Sequence, residues 1–287
     1  MAEDPIYNTY RYALRDESGK FYGENVNMYA DKFVIQTFTQ GILAAEAVVV
    51  LNLWMVVVHK VYSAVSLCKS KMNGSSLEEG GVHVLDEAVA YWIGEDQMTG
   101  SAYEGHLLYA LAEDMGSRFN QDDGGQSIVN KKVLRLFNEA KDQITFANTC
   151  TIHSRTHIKL KHIADELVSV MTIPLLQGLI FYMNKGSAQG AKLYAVAVIP
   201  LLAGCDPQKY ERLKEMLISQ DYQASMFNEI MSLIQQCYSC LGITCDDIGY
   251  YAAGVPLKCS DPLNPTPIAG YVPATDVREV SKFLLQF

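Results

Sequence analysis

Basic residues are in short supply in this 287-residue chain: 23 Lys and Arg stand against 32 Asp and Glu, for a formal net charge of −9. Such a surface has little with which to displace counterions from phosphates, which argues against a nucleic-acid binder. It is compatible with cation binding and, more simply, with solubility. Long apolar runs are lacking too. The run from Ala47 to Val58 is only about half a membrane span, and Glu46, Asn52 and His59 punctuate it. It is therefore expected to be a buried core helix, in a chain that does not span a membrane. The start, M-A-E-D-P-I-Y, is acidic and has no apolar h-region, so the expectation is a cytosolic protein or a mature fragment with an added Met. There is no G-x-S-x-G, P-loop, H-E-x-x-H or dinucleotide fingerprint. The Glu-x-x-His pairs of di-iron bundles are missing as well. An enzyme is not expected.

What is present reads as helix. The length suits one large domain or two small ones, and 49% hydrophobic with 19% charged residues is ordinary for a folded protein. Strand signals are nearly absent, so the predicted class is all-α, a multi-helix bundle. One long helix is expected over roughly 32–69, bent near Gly41. V-N-K-K-V-L-R-L-F-N-E-A-K-D-Q-I predicts an amphipathic helix. H-I-A-D-E-L-V-S-V-M-T-I-P-L-L-Q-G-L-I-F-Y-M predicts another, kinked or broken near Ile173 by Pro174. A-K-L-Y-A-V-A-V-I-P-L-L-A-G is an apolar helix that Pro200 bends or interrupts. Asp206 is a plausible N-cap with Pro207 in the first turn, and a last helix runs from about Ala224 to Ser239. The tyrosine-rich residues 1–30 predict an extended arm packed on the body, and the Pro- and Gly-rich end predicts a second.

Three fragments recur in order. Asp86-Glu87-Ala88-Val89 matches Asp165-Glu166-Leu167-Val168, Leu108-Tyr109-Ala110-Leu111-Ala112 matches Leu193-Tyr194-Ala195-Val196-Ala197, and Phe137-Asn138-Glu139 matches Phe227-Asn228-Glu229. The pattern predicts an internal duplication of two helical bundles. The expected divisions are an N-terminal arm (1–30), a first half (31–150), a second half (151–245) and a C-terminal arm (246–287).

The candidate site lies in the first half, between Leu85 and Glu113. On a helix, Glu87 and Tyr91 share one face. His106, Tyr109 and Glu113 fall at i, i+3 and i+7 on the next. Tyr91, His106 and Glu113 correspond by the repeat offsets to Val170, Ala191 and Val198, so one half carries polar groups where the other carries apolar packing. Such groups need hydrogen-bond or metal partners if buried. Carboxylates, a phenolate and an imidazole suit a hard cation, most simply ferric iron. Under that reading Glu87 and Glu113 neutralise charge, Tyr91 or Tyr109 supplies the phenolate, and His106 supplies nitrogen. The competing reading is a structural or interaction module without metal, using the insert 95–104 and the Pro-rich end as contact loops. A third is a hydrolase or lyase built on Glu87 and His106.

Other constellations point elsewhere. Cys237, Cys240, Cys245 and Cys259 form C-x2-C-x4-C-x13-C, loosely zinc-like but without the standard spacing; disulfides in an exported protein explain it better, and seven cysteines leave one thiol over or paired elsewhere. Asn73-Gly74-Ser75 is a permissible glycosylation acceptor. His153 and His157 could share a face but sit among Arg155, Lys159 and Lys161, which reads as a solvated helix start. Asp122-Asp123-Gly124-Gly125 lacks the EF-hand spacing and reads as a loop.

The fragments D-E-A-V-A-Y-W-I-G, H-L-L-Y-A-L-A-E, V-N-K-K-V-L-R-L-F-N-E-A and C-L-G-I-T-C-D-D-I-G, spread over Leu85 to Gly249, resemble the algal iron-assimilating, low-iron-inducible periplasmic protein family. The resemblance implies a secreted, periplasmic or cell-surface helical protein that assists ferric iron capture without redox chemistry of its own. In phytotransferrin-type members it implies Fe3+ held with a synergistic anion such as carbonate. It also implies cell-surface or membrane-associated protein partners. The chain departs from that family in having no R-E-x-x-E element, so the resemblance assigns no ligand residues here.

Overall fold

The computed structural model describes residues 43–71, 78–145 and 156–251. The arm 1–30, Gly41, Asn73, His153 and Cys259 lie outside them. Helix dominates, and the only strands among the described residues are two residues long. The all-α expectation holds. In order come α1 (Leu43–Ala47), a π-turn (Val48–Leu53), α2 (Trp54–Lys71), α3 (Glu78–Ile93), α4 (Leu108–Arg118), β1 (Asp122–Asp123), β2 (Gln126–Ser127) and α5 (Ile128–Thr145). Then follow α6 (Thr156–Asn184), α7 (Ala188–Leu202), α8 (Pro207–Lys214), a second π-turn (Glu215–Ser219), a 3-10 turn (Ala224–Met226), α9 (Phe227–Gln235) and α10 (Cys245–Ile248).

Two compact units are distinguishable. Among the described residues the first takes those up to Glu113 together with Asn130–Val168, and the second takes Asp114–Val129 and those from Ser169 on. The units interleave along the chain.

The first unit is built on matched apolar stripes. On α3, Gly81, Leu85, Ala88 and Trp92 are buried at helical spacing. On α5, Val133, Leu136, Phe137, Ala140 and Ile144 are buried, as the amphipathic pattern predicts. Gly81 faces Ile144 of α5, where a Cβ would meet Cδ1 at an ordinary contact distance of 3.5 Å. Polar ties mark the edges. Lys141 Nζ donates to Asp86 (3.1 Å), and Tyr62 of α2 donates to Asp165 of α6 (2.7 Å).

The second unit centres on the later part of α6. Every residue from Ser169 to Ile180 is buried. Of the kink or break expected near Ile173, the break does not occur: the helix runs on through Pro174. A mid-helix proline costs about 3 kcal/mol, but a break here would unpack side chains buried on all sides. Burial of one large aliphatic side chain contributes about 2 kcal/mol, so several outweigh the proline. α7 likewise continues through Pro200 to Leu202, among residues that are buried throughout.

The turns follow their local chemistry. Asp206 caps α8, accepting from the backbone N–H groups of Gln208 (3.0 Å) and Lys209 (3.2 Å), with Pro207 in the first turn as expected. The Lys209 side chain, hydrogen-bonded to the same carboxylate, holds it below its ordinary range. Asp122–Gly125 is not an open loop but a hairpin end. β1 and β2 pair antiparallel, and Gly124 (φ 62°) and Gly125 (φ 80°) supply the two left-handed positions of a type I′ turn.

Candidate functional site

Between α3 and α4 the chain folds back on itself from Gly94 to Leu107. Gly94 closes α3, donating its N–H to Ala90 O (2.8 Å) at φ 84°, and a Cβ there would lie 2.8 Å from the Leu107 side chain. The loop's two ends are therefore in contact. Its interior is organised by Gln97, whose Nε2 donates to the carbonyls of Met98 (2.8 Å) and Ser101 (2.7 Å). Gly105 packs flush on the same amide, where a Cβ would meet Gln97 Oε1 at 1.9 Å. Ser101 Oγ accepts from the N–H groups of Tyr103 (3.2 Å) and Glu104 (3.3 Å). A loop with joined ends, packed by its own side chains, is an Ω-loop. It leaves Met98 61% and Tyr103 89% exposed, with Glu95, Asp96 and Glu104 also outward.

Beneath the loop, in the same unit, lies a buried polar hub. Asn130 is fully buried at the start of α5. Trp92 Nε1 donates to Asn130 Oδ1 (2.9 Å), and Asn130 Nδ2 donates to Tyr109 O (3.0 Å) and Glu113 Oε1 (2.7 Å). Three helices, α3, α4 and α5, are joined by one carboxamide.

The five residues predicted as ligands are dispersed over this arrangement. Glu87 is exposed and paired with Lys60 of α2. Tyr91 is 43% exposed, on the outward side of α3. His106 is exposed and belongs to the loop, because α4 starts only at Leu108. The expected stripe of His106, Tyr109 and Glu113 on one helix therefore does not form. Tyr109 and Glu113 are buried, and the hub uses them. Among the described residues no three His, Cys, Asp or Glu side chains form a group that could hold a metal ion. Glu87, His106 and Glu113 thus do not converge. The chain matches no family model, no curated protein and no solved structure.

The cysteines follow the disulfide reading rather than the zinc one. Cys205 is bonded to Cys240, with Cα atoms 5.8 Å apart, and Cys68 and Cys245 are also disulfide-bonded. Cys237 is a free, buried thiol. Burial pushes it from an ordinary value near 9 up to about 11, which leaves little thiolate at neutral pH and makes it a poor nucleophile or ligand. The unfolded chain therefore releases this proton first. Stability is intact below about pH 8.5 and falls as pH rises towards 11, by about 2–3 kcal/mol in all. Tyr238 and Tyr222 are raised by burial as well and add in the same direction. The expected outcome is that urea unfolding from pH 8 to 10.5 shows a smaller loss for Cys237→Ala than for the parent chain.

Asn130 and Gln97 were not among the predicted residues. Asn130 had a signal: it continues the apolar stripe of Val133 and Phe137, where a polar side chain must find partners. Gln97 had none, since loop-interior hydrogen bonds carry no periodicity.

Proposed function

We propose that the chain is a non-enzymatic recognition module of an oxidising, extracytosolic compartment, and that the loop Gly94–Leu107 is its contact element for a protein partner. One observation carries this reading: Met98 and Tyr103 are held out to solvent on a loop whose shape is fixed by its own hydrogen bonds. Tyrosine offers a large contact surface with few rotatable bonds, and a preformed loop has already met much of its ordering cost. The disulfides support the compartment, because they persist where thiols are not kept reduced. An iron-assimilation role of the kind the resemblance implies would run through that partner, with Fe3+ as cargo of the assembly. Glu87, Tyr91, His106, Tyr109 and Glu113 are not gathered to hold it.

The internal duplication belongs to the same reading, supported by shared environments at matching positions. Tyr109 and Tyr194 are both buried, as are Phe137 and Phe227, and Ala88 and Leu167. Glu87 and Glu166 both face basic side chains, Lys60 and Arg135.

A photo-crosslinking residue at Tyr103, on the native cell surface, is expected to give one discrete adduct, and the same residue at exposed Ser117 none. No adduct at Tyr103, or equal adducts at both, overturns the reading. Met98→Ala/Tyr103→Ala is expected to weaken partner binding at least tenfold, about 1.4 kcal/mol. Its unfolding midpoint should stay within about 0.5 kcal/mol of the parent's. A tyrosinate-to-iron charge-transfer band on ferric titration, lost in Tyr91→Phe or Tyr109→Phe, would replace this reading with the metal-binding one.

A further inference from the structure

No Lys or Arg occurs between Lys71 and Arg118, and the loop Gly94–Leu107 lies inside that stretch. On the body of the first unit, Asp86 pairs with Lys141, Glu87 with Lys60 and Glu139 with Arg135. The loop's carboxylates are placed differently. Glu95, Asp96 and Glu104 are exposed, and none has an ion pair among the described residues. They stand on the same short loop as Met98 and Tyr103, which are 61% and 89% exposed. The contact element thus offers a thioether and a phenol ring flanked by three uncompensated carboxylates.

We infer that the protein partner presents an apolar recess rimmed by Lys and Arg, and that charge steers the two together. This rests on the reading of the loop as a protein contact and names the chemistry of the surface opposite. Met98 and Tyr103 supply the adaptable and the rigid apolar contact that a recess takes. An acidic partner, or a second copy of this acidic chain, would meet like charge around that recess and be disfavoured. Exposed charges at a rim act mainly on the rate of encounter, and salt screens them over about 8 Å at physiological strength. The apolar pair acts mainly on how long the complex lasts. Charge and apolar area therefore leave different signatures in one measurement.

The time course of binding of the labelled full oxidised chain to its native cell surface tests it. Association is expected to be at least tenfold faster in 20 mM than in 500 mM salt at constant osmolarity, with dissociation changed less than twofold. Glu95→Gln/Asp96→Asn/Glu104→Gln is expected to slow association at least fivefold. Asn suits the positive φ of Asp96 (58°). Should the triple variant lose helicity, Glu95→Gln/Glu104→Gln is expected to slow association in the same direction. Asp142→Asn/Asp221→Asn/Asp246→Asn removes equal charge from exposed positions outside the loop and is expected to slow it less than twofold. Binding that ignores salt and the loop carboxylates, yet is lost in Met98→Ala/Tyr103→Ala, overturns the basic partner and leaves the loop contact standing. Equal slowing by the two triple variants, a requirement for calcium, or a Tyr103 adduct to a second copy of this chain overturns it too. Binding indifferent to Met98→Ala/Tyr103→Ala removes the loop contact itself, and the basic partner with it.

Discussion

Asn130→Leu is expected to lower the unfolding free energy by about 4 kcal/mol, read by urea denaturation at neutral pH. Leucine keeps the volume and apolar character of the site, so the loss isolates the carboxamide. Two hydrogen bonds to neutral groups go, from Trp92 Nε1 and to Tyr109 O, and one to the Glu113 carboxylate. At about 1 kcal/mol for each neutral bond and about 2 for the charged one, the three sum to the stated loss. A buried indole N–H and a buried carboxylate each lose a partner, and their desolvation is what makes the deletion expensive. Asn130→Asp is expected to be no better: it retains the acceptor for Trp92 but sets a second carboxylate where the donor to Glu113 was, with Oε1 only 2.7 Å away. Glu113→Gln still offers an oxygen to Asn130 Nδ2 and is expected to lose only about 1–2 kcal/mol.

That ordering also separates the hub from a metal site. Carboxylates gathered for a ferric ion repel one another when the ion is absent, so neutralising one stabilises the empty protein. In the hub Glu113 is a structural acceptor, and neutralising it weakens the fold. A gain in stability for Glu113→Gln would restore the metal reading of Glu113.

Periodicity made much of the helical framework legible. The stripe of Val133, Leu136, Phe137, Ala140 and Ile144 reads directly as a buried face, and Asp206 with Pro207 reads as a helix start. Two departures have a common cause. Pro174 predicts a kink or a break from local geometry alone, and the burial of its neighbours, a tertiary effect, keeps the helix from breaking. The stripe of Glu87 and Tyr91 is real, but spacing within one helix does not say which side meets the core. On α3 the buried set is Gly81, Leu85, Ala88 and Trp92, and Glu87 and Tyr91 each precede one of these by a single position, on the outward side. His106 fails for a third reason: the residues before Leu108 are drawn into the Ω-loop, so the helix begins too late to include it. Of the three polar positions set against apolar ones by the repeat offsets, only Glu113 joins the hydrogen-bonded cluster around Asn130, while Tyr91 and His106 are exposed.

Loss of the Cys205–Cys240 bond, by Cys205→Ala/Cys240→Ala, is expected to lower stability by about 3–4 kcal/mol. The bond joins residues 35 apart in sequence, and closing a loop of that size removes about 4 kcal/mol of chain entropy from the unfolded state in the entropic model. The enclosed segment carries α8, the second π-turn and α9. Within that segment Arg212 reaches Glu229 (2.9 Å) and Glu215 (3.0 Å) at the surface. Exposed ion pairs are screened and weak, so Arg212→Ala is expected to leave the unfolding midpoint near that of the parent while the cysteine pair shifts it clearly. Limited proteolysis of the reduced chain is expected to cut first between Asp206 and Ser239. A chelator is expected to change nothing there, since Cys240 is bonded outside its own cluster and Cys237 keeps its proton. The opposite pattern, resistance to reductant with sensitivity to chelator, would mean that the cysteines hold a metal and that the argument for an oxidising compartment fails with the disulfide.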